Sequence, residues 1–251
     1  MNFVSILNIK INSIYLNDLL RKMKEGVVFT PNLDHLVKLQ KDEEFYNAYK
    51  KADWIICDSK IMYFFSNFFN KKIKETIPGS SLLPEFYYYH KNNENVKIFL
   101  LGATEGVAEM AKNKINSKLN RTMIIGCHSP TFGFEKNEEE CGKIVNIINN
   151  SKANVLVVGL GAPKQEKWIV KYKDKLPKVK IFMALGATID FEAGNITRAP
   201  KVFQFVGLEW FYRLIKEPRR LWKRYLIDDM SFFYLIIKQK LGIYKNPFKN
   251  H

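Results

Sequence analysis

The chain has 251 residues, enough for one domain of ordinary size or one domain with an appendage. Forty Lys and Arg against 25 Asp and Glu leave a net charge of +15, which favours phosphate-bearing partners such as nucleotides, nucleic acid or anionic lipid. Three scattered cysteines, Cys57, Cys127 and Cys141, fit neither a metal spacing nor a paired disulfide framework, which excludes a small disulfide-built scaffold and points to a reducing, cytoplasmic compartment.

In chain order, residues 3–8 and 27–30 are expected as short strands around a helix at about 17–25. The start has no basic lead-in and only a very short apolar run, unlike a secretory signal. The strand Val27-Val28-Phe29 stops at Thr30-Pro31-Asn32. Residues 34–51 are expected as a helix, with Leu36, Leu39, Phe45 and Ala48 on its apolar face. Trp54-Ile55-Ile56-Cys57 is a buried strand ending at Asp58, and a helix follows to about residue 69. Pro78-Gly79-Ser80 opens a helix over 81–91. A strand over 96–101 turns at Gly102-Ala103-Thr104 into a helix that Thr104 is placed to cap. A strand at 123–126, a Gly/Pro/Ser loop over 128–134 and a helix over 138–149 come next.

Residues 154–158 form the most buried strand. They run into Gly159-Leu160-Gly161-Ala162-Pro163 and a helix whose first turn holds Gln165 and Glu166. Glycines at a strand end admit close backbone approach, and a helix start adds N–H donors and positive dipole. That suits a phosphate or sugar hydroxyl, although Gly-x-Gly alone is equally a plain strand-to-helix turn. A last strand over 180–185 leads into a loop over 186–198. Strands alternate with helices, so the fold class is α/β: a mostly parallel Rossmann-like sheet with helices on both faces. Ligands of such sheets bind beyond the carboxyl ends of the strands, where Asn32 and Asp58 fall.

The character changes after this core, which spans 1–197. Residues 198–251 carry 12 Lys and Arg, 4 Asp and Glu, and 12 aromatics. Helices are expected at about 209–226 and 229–241, with Pro218 bending or dividing the first. Basic and aromatic residues interleaved on helices fit an anionic membrane surface. No run approaches the roughly 18 apolar residues of a membrane span.

Several stretches, taken in order, resemble the WecG/TagA/CpsF family of glycosyltransferases along nearly the whole chain. They are Thr30-Pro31-Asn32-Leu33-Asp34-His35, Ala52 to Asp58, Pro78-Gly79-Ser80, Phe99 to Gly102, Val158 to Glu166, Ala184 to Phe191, Gly194 to Pro200, and Gly207 to Leu214 running on to Arg219-Arg220 and Arg224-Tyr225. The resemblance implies a GT-E type fold with a helical C-terminal appendage. It implies transfer of an N-acetylmannosamine-type sugar from a UDP-sugar to a polyprenyl-diphosphate-linked N-acetylglucosamine, in cell-surface polysaccharide or teichoic acid synthesis. The enzyme would work peripherally on the inner face of the cell membrane. It implies no cofactor and no metal, and the sequence holds no Asp-x-Asp motif; a homo-oligomer remains open.

Asp58 is the candidate base, since transfer to a hydroxyl needs a carboxylate to take its proton. Its competing role is a helix N-cap. The resemblance puts Asp58 at the family's catalytic aspartate, with Ser59 where the family usually has Gly. Position 81 is Ser where the family commonly has Asp, and it receives no role. Thr30 and Asn32 are candidates for sugar hydroxyls or an acetamido group, and Gln165 for sugar or diphosphate oxygens. Gly102, Gly159 and Gly161 are candidates for backbone approach to UDP, and Asp190 for uracil or ribose. Arg213, Arg219, Arg220 and Arg224 are candidates to neutralise the leaving diphosphate or the lipid diphosphate, parts of the set sharing a helix face. Asp34 and His35 are expected as a cap and as a residue on the surface or behind the site, and Lys164 and Glu166 are as readily solvated helix residues as contacts of the crevice. Two alternatives stand beside this reading. One is the same fold with another donor, such as UDP-N-acetylmannosaminuronic acid or a capsular sugar. The other is a nucleic-acid-binding protein, which lacks any helix-turn-helix, RNP or zinc signature.

Overall fold

A computed structural model of the chain describes residues 2–69, 72–200, 202–203 and 207–249, with the side chain of Arg220 outside them. Among the described residues, six parallel strands form one sheet: β3 (Gly26–Phe29), β4 (Trp54–Ile55), β5 (Ile98–Gly102), β6 (Ile124–His128), β7 (Val155–Gly159) and β8 (Ile181–Ala184). Their order is β4-β3-β8-β7-β5-β6.

Each central strand alternates between two cores. Phe29, Phe99, Leu101, Leu156, Val158 and Phe182 face one layer. Val28, Ile98, Leu100, Val155, Val157 and Met183 face the other. Helices α1 (Leu16–Lys22), α5 (Gly79–Tyr89), α6 (Val107–Leu119) and α9 (Thr188–Ala193) supply the second layer. The first takes α2 (Leu33–Lys38), α3 (Glu43–Lys50), α4 (Lys60–Ser66), α7 (Glu138–Ser151) and α8 (Lys164–Tyr172). Two-sided burial explains why these strands read as continuous apolar runs. The expected α/β class is the one observed.

The differences are local. The expected strand over 3–8 is a hairpin, β1 (Phe3–Ile6) and β2 (Ile9–Asn12), paired antiparallel outside the main sheet. Val4, Ile6, Ile9 and Ile11 bury one face, and Leu7 turns at φ 52°. The helix expected over 34–51 is two, because Asp42 accepts from the Phe45 N–H at 2.9 Å and caps α3. Gly106, at φ 79°, takes the position before α6, so Thr104 is not its cap. The expected loop over 186–198 contains α9, closed by Gly194 in the left-handed conformation that suits a glycine after a helix.

Beyond residue 207 the described residues form α10 (Glu209–Lys216), α11 (Pro218–Lys223) and α12 (Met230–Lys240), with a π-helical turn over Arg224–Asp228. Glu217, at φ −131° and ψ 56°, breaks the first pair, with Pro218 opening α11 as its fixed φ allows. That break removes the shared helix face expected for Arg213 and Arg220. Helix α12 docks on the hairpin and α4: Phe232 and Ile236 are buried, and the Gln239 amide bonds Leu7 N–H at 2.7 Å and Ser5 O at 2.9 Å.

Candidate active site

Strands β5 and β7 are neighbours, yet β5 leads outward to β6 and β7 leads back to β8. This is the switch point at which open parallel sheets leave a crevice beyond their carboxyl ends. Glycines set its floor. A Cβ on Gly102, at φ 126°, would lie 2.4 Å from the Gly159 carbonyl oxygen. One on Gly159 would lie 2.7 Å from the Gly186 oxygen. Those two glycines are required by the packing of β5, β7 and β8 against one another. Gly161, at φ 77°, faces open space, and its backbone is the accessible one.

Asp58 stands beyond β4. Its competing role is taken: Ser59 Oγ accepts from Met62 N–H at 3.4 Å and caps α4. The Asp58 N–H donates to Pro31 O at 3.1 Å, and its Oδ2 accepts from Gly79 N–H, at the start of α5, at 3.4 Å. Burial pushes the carboxyl up to about 7; the Gly79 N–H opposes, Glu209 adds to the rise, and Arg213 and Arg198 work against it. A carboxylate poised there suits proton abstraction at neutral pH. Arg213 lies beside Phe191, its guanidinium carbon 5.8 Å from the ring centre.

The β3 end holds a second group. Asn32 caps α2, accepting from His35 N–H at 3.3 Å, and Arg224 Nη2 reaches the same Oδ1 at 3.4 Å. Arg224 also lies 3.5 Å from Asp34 Oδ2, which pairs with Lys38 at 2.8 Å. Lys38 donates on to Ala162 O, in the glycine turn, at 3.3 Å. Asp34 is thus buried and is not the cap, which is Asn32, and His35 is buried behind the site and not on the surface. Burial holds the His35 imidazole neutral, its pKa lowered to about 3, and its Nδ1 lies 2.7 Å from Tyr49 OH.

The remaining residues fall as follows. The Thr30 hydroxyl is spent on Ala184 O at 3.3 Å, joining β3 to β8. Gln165, 2% exposed, accepts from Gly186 N–H at 3.0 Å and donates to Glu166 Oε1 at 2.8 Å. Glu166 is fully buried, and burial raises its carboxyl to about 7. Lys164 is half-buried and pairs with Glu135 at 2.8 Å. Asp190 lies in the first turn of α9, hydrogen-bonded by Asn195 at 3.2 Å. Arg219 is exposed on α11, and the Arg220 side chain lies outside the described residues. Sequence reasoning gave no role to Arg198 or Ser81, which meet at 2.8 Å beside Asp58. The one available signal was a lone Arg just before Ala199-Pro200. Among the described residues, no group of three or more His, Cys, Asp or Glu converges to hold a metal.

A cavity of about 350 Å³, lined by Phe3, Lys10, Tyr46, Lys50 and Asp53, lies under the hairpin, away from this crevice.

A two-sided parallel sheet with a loaded carboxyl edge is a Rossmann-like frame. The model of the glycosyl transferase WecG/TagA/CpsF family matches residues 4–246, and the chain belongs to that family. It is similar to the N-acetylglucosaminyldiphosphoundecaprenol N-acetyl-beta-D-mannosaminyltransferase of Bacillus subtilis (strain 168), 28% identical over 229 residues, which cover 90% of this chain and 86% of that protein. It is 29% identical over 204 residues to the protein of the same name from Staphylococcus aureus (strain MRSA252), covering 81% of this chain and 76% of the relative.

Proposed function

We propose that this glycosyltransferase moves N-acetylmannosamine from its UDP conjugate to the hydroxyl of a polyprenyl-diphosphate-linked N-acetylglucosamine. The names of the relatives supply the sugar and the acceptor. The observation that carries the mechanism is the Asp58 carboxylate, released from capping by Ser59 and raised to about 7 at the crevice.

In this reading the acceptor oxygen attacks the anomeric carbon, and its proton passes to Asp58. The bond from that carbon to the UDP oxygen breaks, and the electron pair leaves with UDP. Arg213 and Arg224, brought over the crevice by the appendage, meet the charge that develops on the diphosphate; guanidinium forks match its oxygens. The accessible backbone at Gly161 and the start of α8 cradle the donor, with Gln165 and Glu166 fixing the turn beneath. Asn32 orients the sugar, Thr30 holds the strand ends that present it, and Asp190 lies on the nucleoside side.

The acceptor sits in a membrane, and among the described residues no helix is long and apolar enough to cross one. Phe211, Ile215, Trp222, Leu226 and Ile227 are exposed on and after α10, among Lys216, Arg219 and Lys223. Such a surface lies on anionic lipid through buried aromatics and about 1 kcal/mol per basic residue. This supports a peripheral enzyme on the inner membrane face, with residues 198–251 serving both site and membrane.

The test is Asp58→Asn and Asp58→Ala on UDP-N-acetylmannosamine and a short-chain prenyl-diphospho-N-acetylglucosamine, with products weighed and a panel of other UDP-sugars alongside. Loss of a base costs on the order of a hundredfold or more in kcat with little change in UDP binding. A variant with near wild-type kcat would sink the base assignment, and faster turnover of another UDP-sugar would replace the donor.

A further inference from the structure

Beside Asp58 runs a contact that the transfer mechanism does not use. Arg198 lies on the connection between α9 and α10. Its Nη2 donates to Ser81 Oγ at 2.8 Å and its Nη1 to the Ser80 carbonyl at 3.4 Å, both in the first turn of α5. Its Nε lies 4.0 Å from Glu209 Oε1, on the first residue of α10. The same turn of α5 supplies the Gly79 N–H that faces Asp58 at 3.4 Å. Gly79 itself packs closely: a Cβ there would sit 3.3 Å from the Leu185 carbonyl oxygen, just past the end of β8. One guanidinium therefore joins the helix start that faces the base to the first residue of α10.

We propose that Arg198 is a positioning residue, a clasp that joins the Ser80-Ser81 turn of α5 to Glu209 and so holds α10 in register over Asp58. The inference rests on the reading of Asp58 as the base.

The geometry excludes a plain surface ion pair. Arg198 and Glu209 are each about three-quarters covered, and a fork shared between a hydroxyl and a carbonyl fixes direction as well as distance. Replacing the clasp with a looser contact frees α10, and α10 carries Arg213. The clasp also sets the charge around the base. Asp58 is faced by Glu209 and Arg213 from α10, by Arg198 from the connection, and by the Gly79 N–H from α5. Cys57 adjoins it in the chain, and the Tyr49 hydroxyl of α3 feels its charge. Arg198 and Glu209 act on the carboxyl in opposite directions, Arg198 lowering its pKa and Glu209 raising it. A role confined to stability would not split in this way.

The experiment is the pH profile of kcat/KM for the full chain, on UDP-N-acetylmannosamine and the soluble prenyl-diphospho acceptor. Arg198→Ala removes a positive neighbour, so the acid limb moves up, by about half a pH unit or about threefold in rate on that limb. Glu209→Gln removes a negative neighbour, and the limb moves down by a similar amount. Arg198→Lys keeps the charge and loses the fork, so the limb stays while kcat falls. Ser81→Ala loses one hydrogen bond to a charged group and lowers kcat about fivefold with the limb unmoved. Should Arg198→Ala fail to fold, Glu209→Gln and Ser81→Ala decide. Limbs that stay put, or move in the same direction in Arg198→Ala and Glu209→Gln, overturn the clasp. Asp58→Asn run in parallel separates the two ideas. If it is inactive while the limbs stay put, the clasp falls alone; if it is active, the base reading falls and takes the clasp with it.

Discussion

Glu166→Gln tests the buried floor of the crevice through stability instead of turnover. The side chain is fully covered, its Oε1 accepts from Gln165, and its Oε2 is buried with no hydrogen-bond partner. Burial is the largest influence on it and raises its pKa from 4.5 to about 7, with the Gln165 amide and Lys38 opposing. In the unfolded chain the same group titrates near 4.5. Between the two values the native state keeps a proton that the unfolded state has lost, so stability falls as pH rises through about 4.5 to 7. A difference of about 2.5 in pKa, at about 1.4 kcal/mol for each, gives a ceiling of about 3 kcal/mol. Glutamine keeps the shape and the acceptor for Gln165 and cannot ionise. The variant and the wild type should therefore differ least at pH 5, and the gap should grow in favour of glutamine by up to about 3 kcal/mol at pH 8. Asp58, Asp229 and His35 titrate in both proteins and cancel to first order. Urea unfolding at pH 5, 6, 7 and 8 reads the difference. A gap that is flat with pH would refute the burial argument, and a gap that grows in favour of wild type would reverse its sign.

Activity should survive EDTA if, as proposed, Arg213 and Arg224 meet the diphosphate charge; loss in chelator restored by Mg²⁺ or Mn²⁺ would overturn that. Gly102→Ala should fail to fold or melt far below wild type, because its Cβ meets the Gly159 carbonyl at 2.4 Å. Gly161→Ala meets open space and pays only the left-handed conformation, about 1–2 kcal/mol, so it should fold and show weakened UDP binding by calorimetry. Trp222→Ser with Arg219→Ala should weaken co-sedimentation with anionic vesicles and spare turnover of the water-soluble acceptor; loss of both together would place Arg219 at the donor.

The sheet was legible because its central strands are buried on both faces, which writes continuous apolar runs into the sequence. Asp58 was legible for the same reason, as a carboxylate ending such a run. What escaped was the state of each side chain. The sequence offered the cap of α4 to Asp58, and only the geometry shows Ser59 taking the N–H of Met62. Glu166 can be read as a solvated residue of a helix start, yet Gln165 bonds it from its own helix and His35 of α2 stands 3.9 Å from its Oε1. Arg198 and Ser81 lie 117 positions apart, and nothing local pairs them. The resemblance carried the substrate classes; no spacing in the chain would have supplied them.

The appendage does not behave as a detachable tail. Its helix α10 meets the core at Arg213, beside the Phe191 ring, and Arg224 reaches Asn32 and Asp34. Its last helix buries Phe232 against Phe65 at an edge-on 5.7 Å, and Gln239 completes the backbone of the β1–β2 hairpin at both Leu7 and Ser5. Tyr244 and Asn246 then bond Gln40 and the Tyr46 hydroxyl, on and beside α2 and α3. Ending the chain at residue 200 would uncover Phe65, Met62 and the hairpin face in one step. Losing a single buried Phe costs about 3–5 kcal/mol, a large share of the stability of most domains. A chain truncated there should melt well below the full chain or aggregate, so its inactivity would say nothing about catalysis. Phe232→Ala in the full chain isolates the effect: it should lower the melting temperature by roughly 6–20 °C, at about 2–4 °C per kcal/mol for a protein of this size, and leave kcat at 20 °C within a few-fold. A truncated chain that melts with the full-length protein would show that α12 rests on the core without holding it, and the two-ended attachment of the appendage would have to be given up.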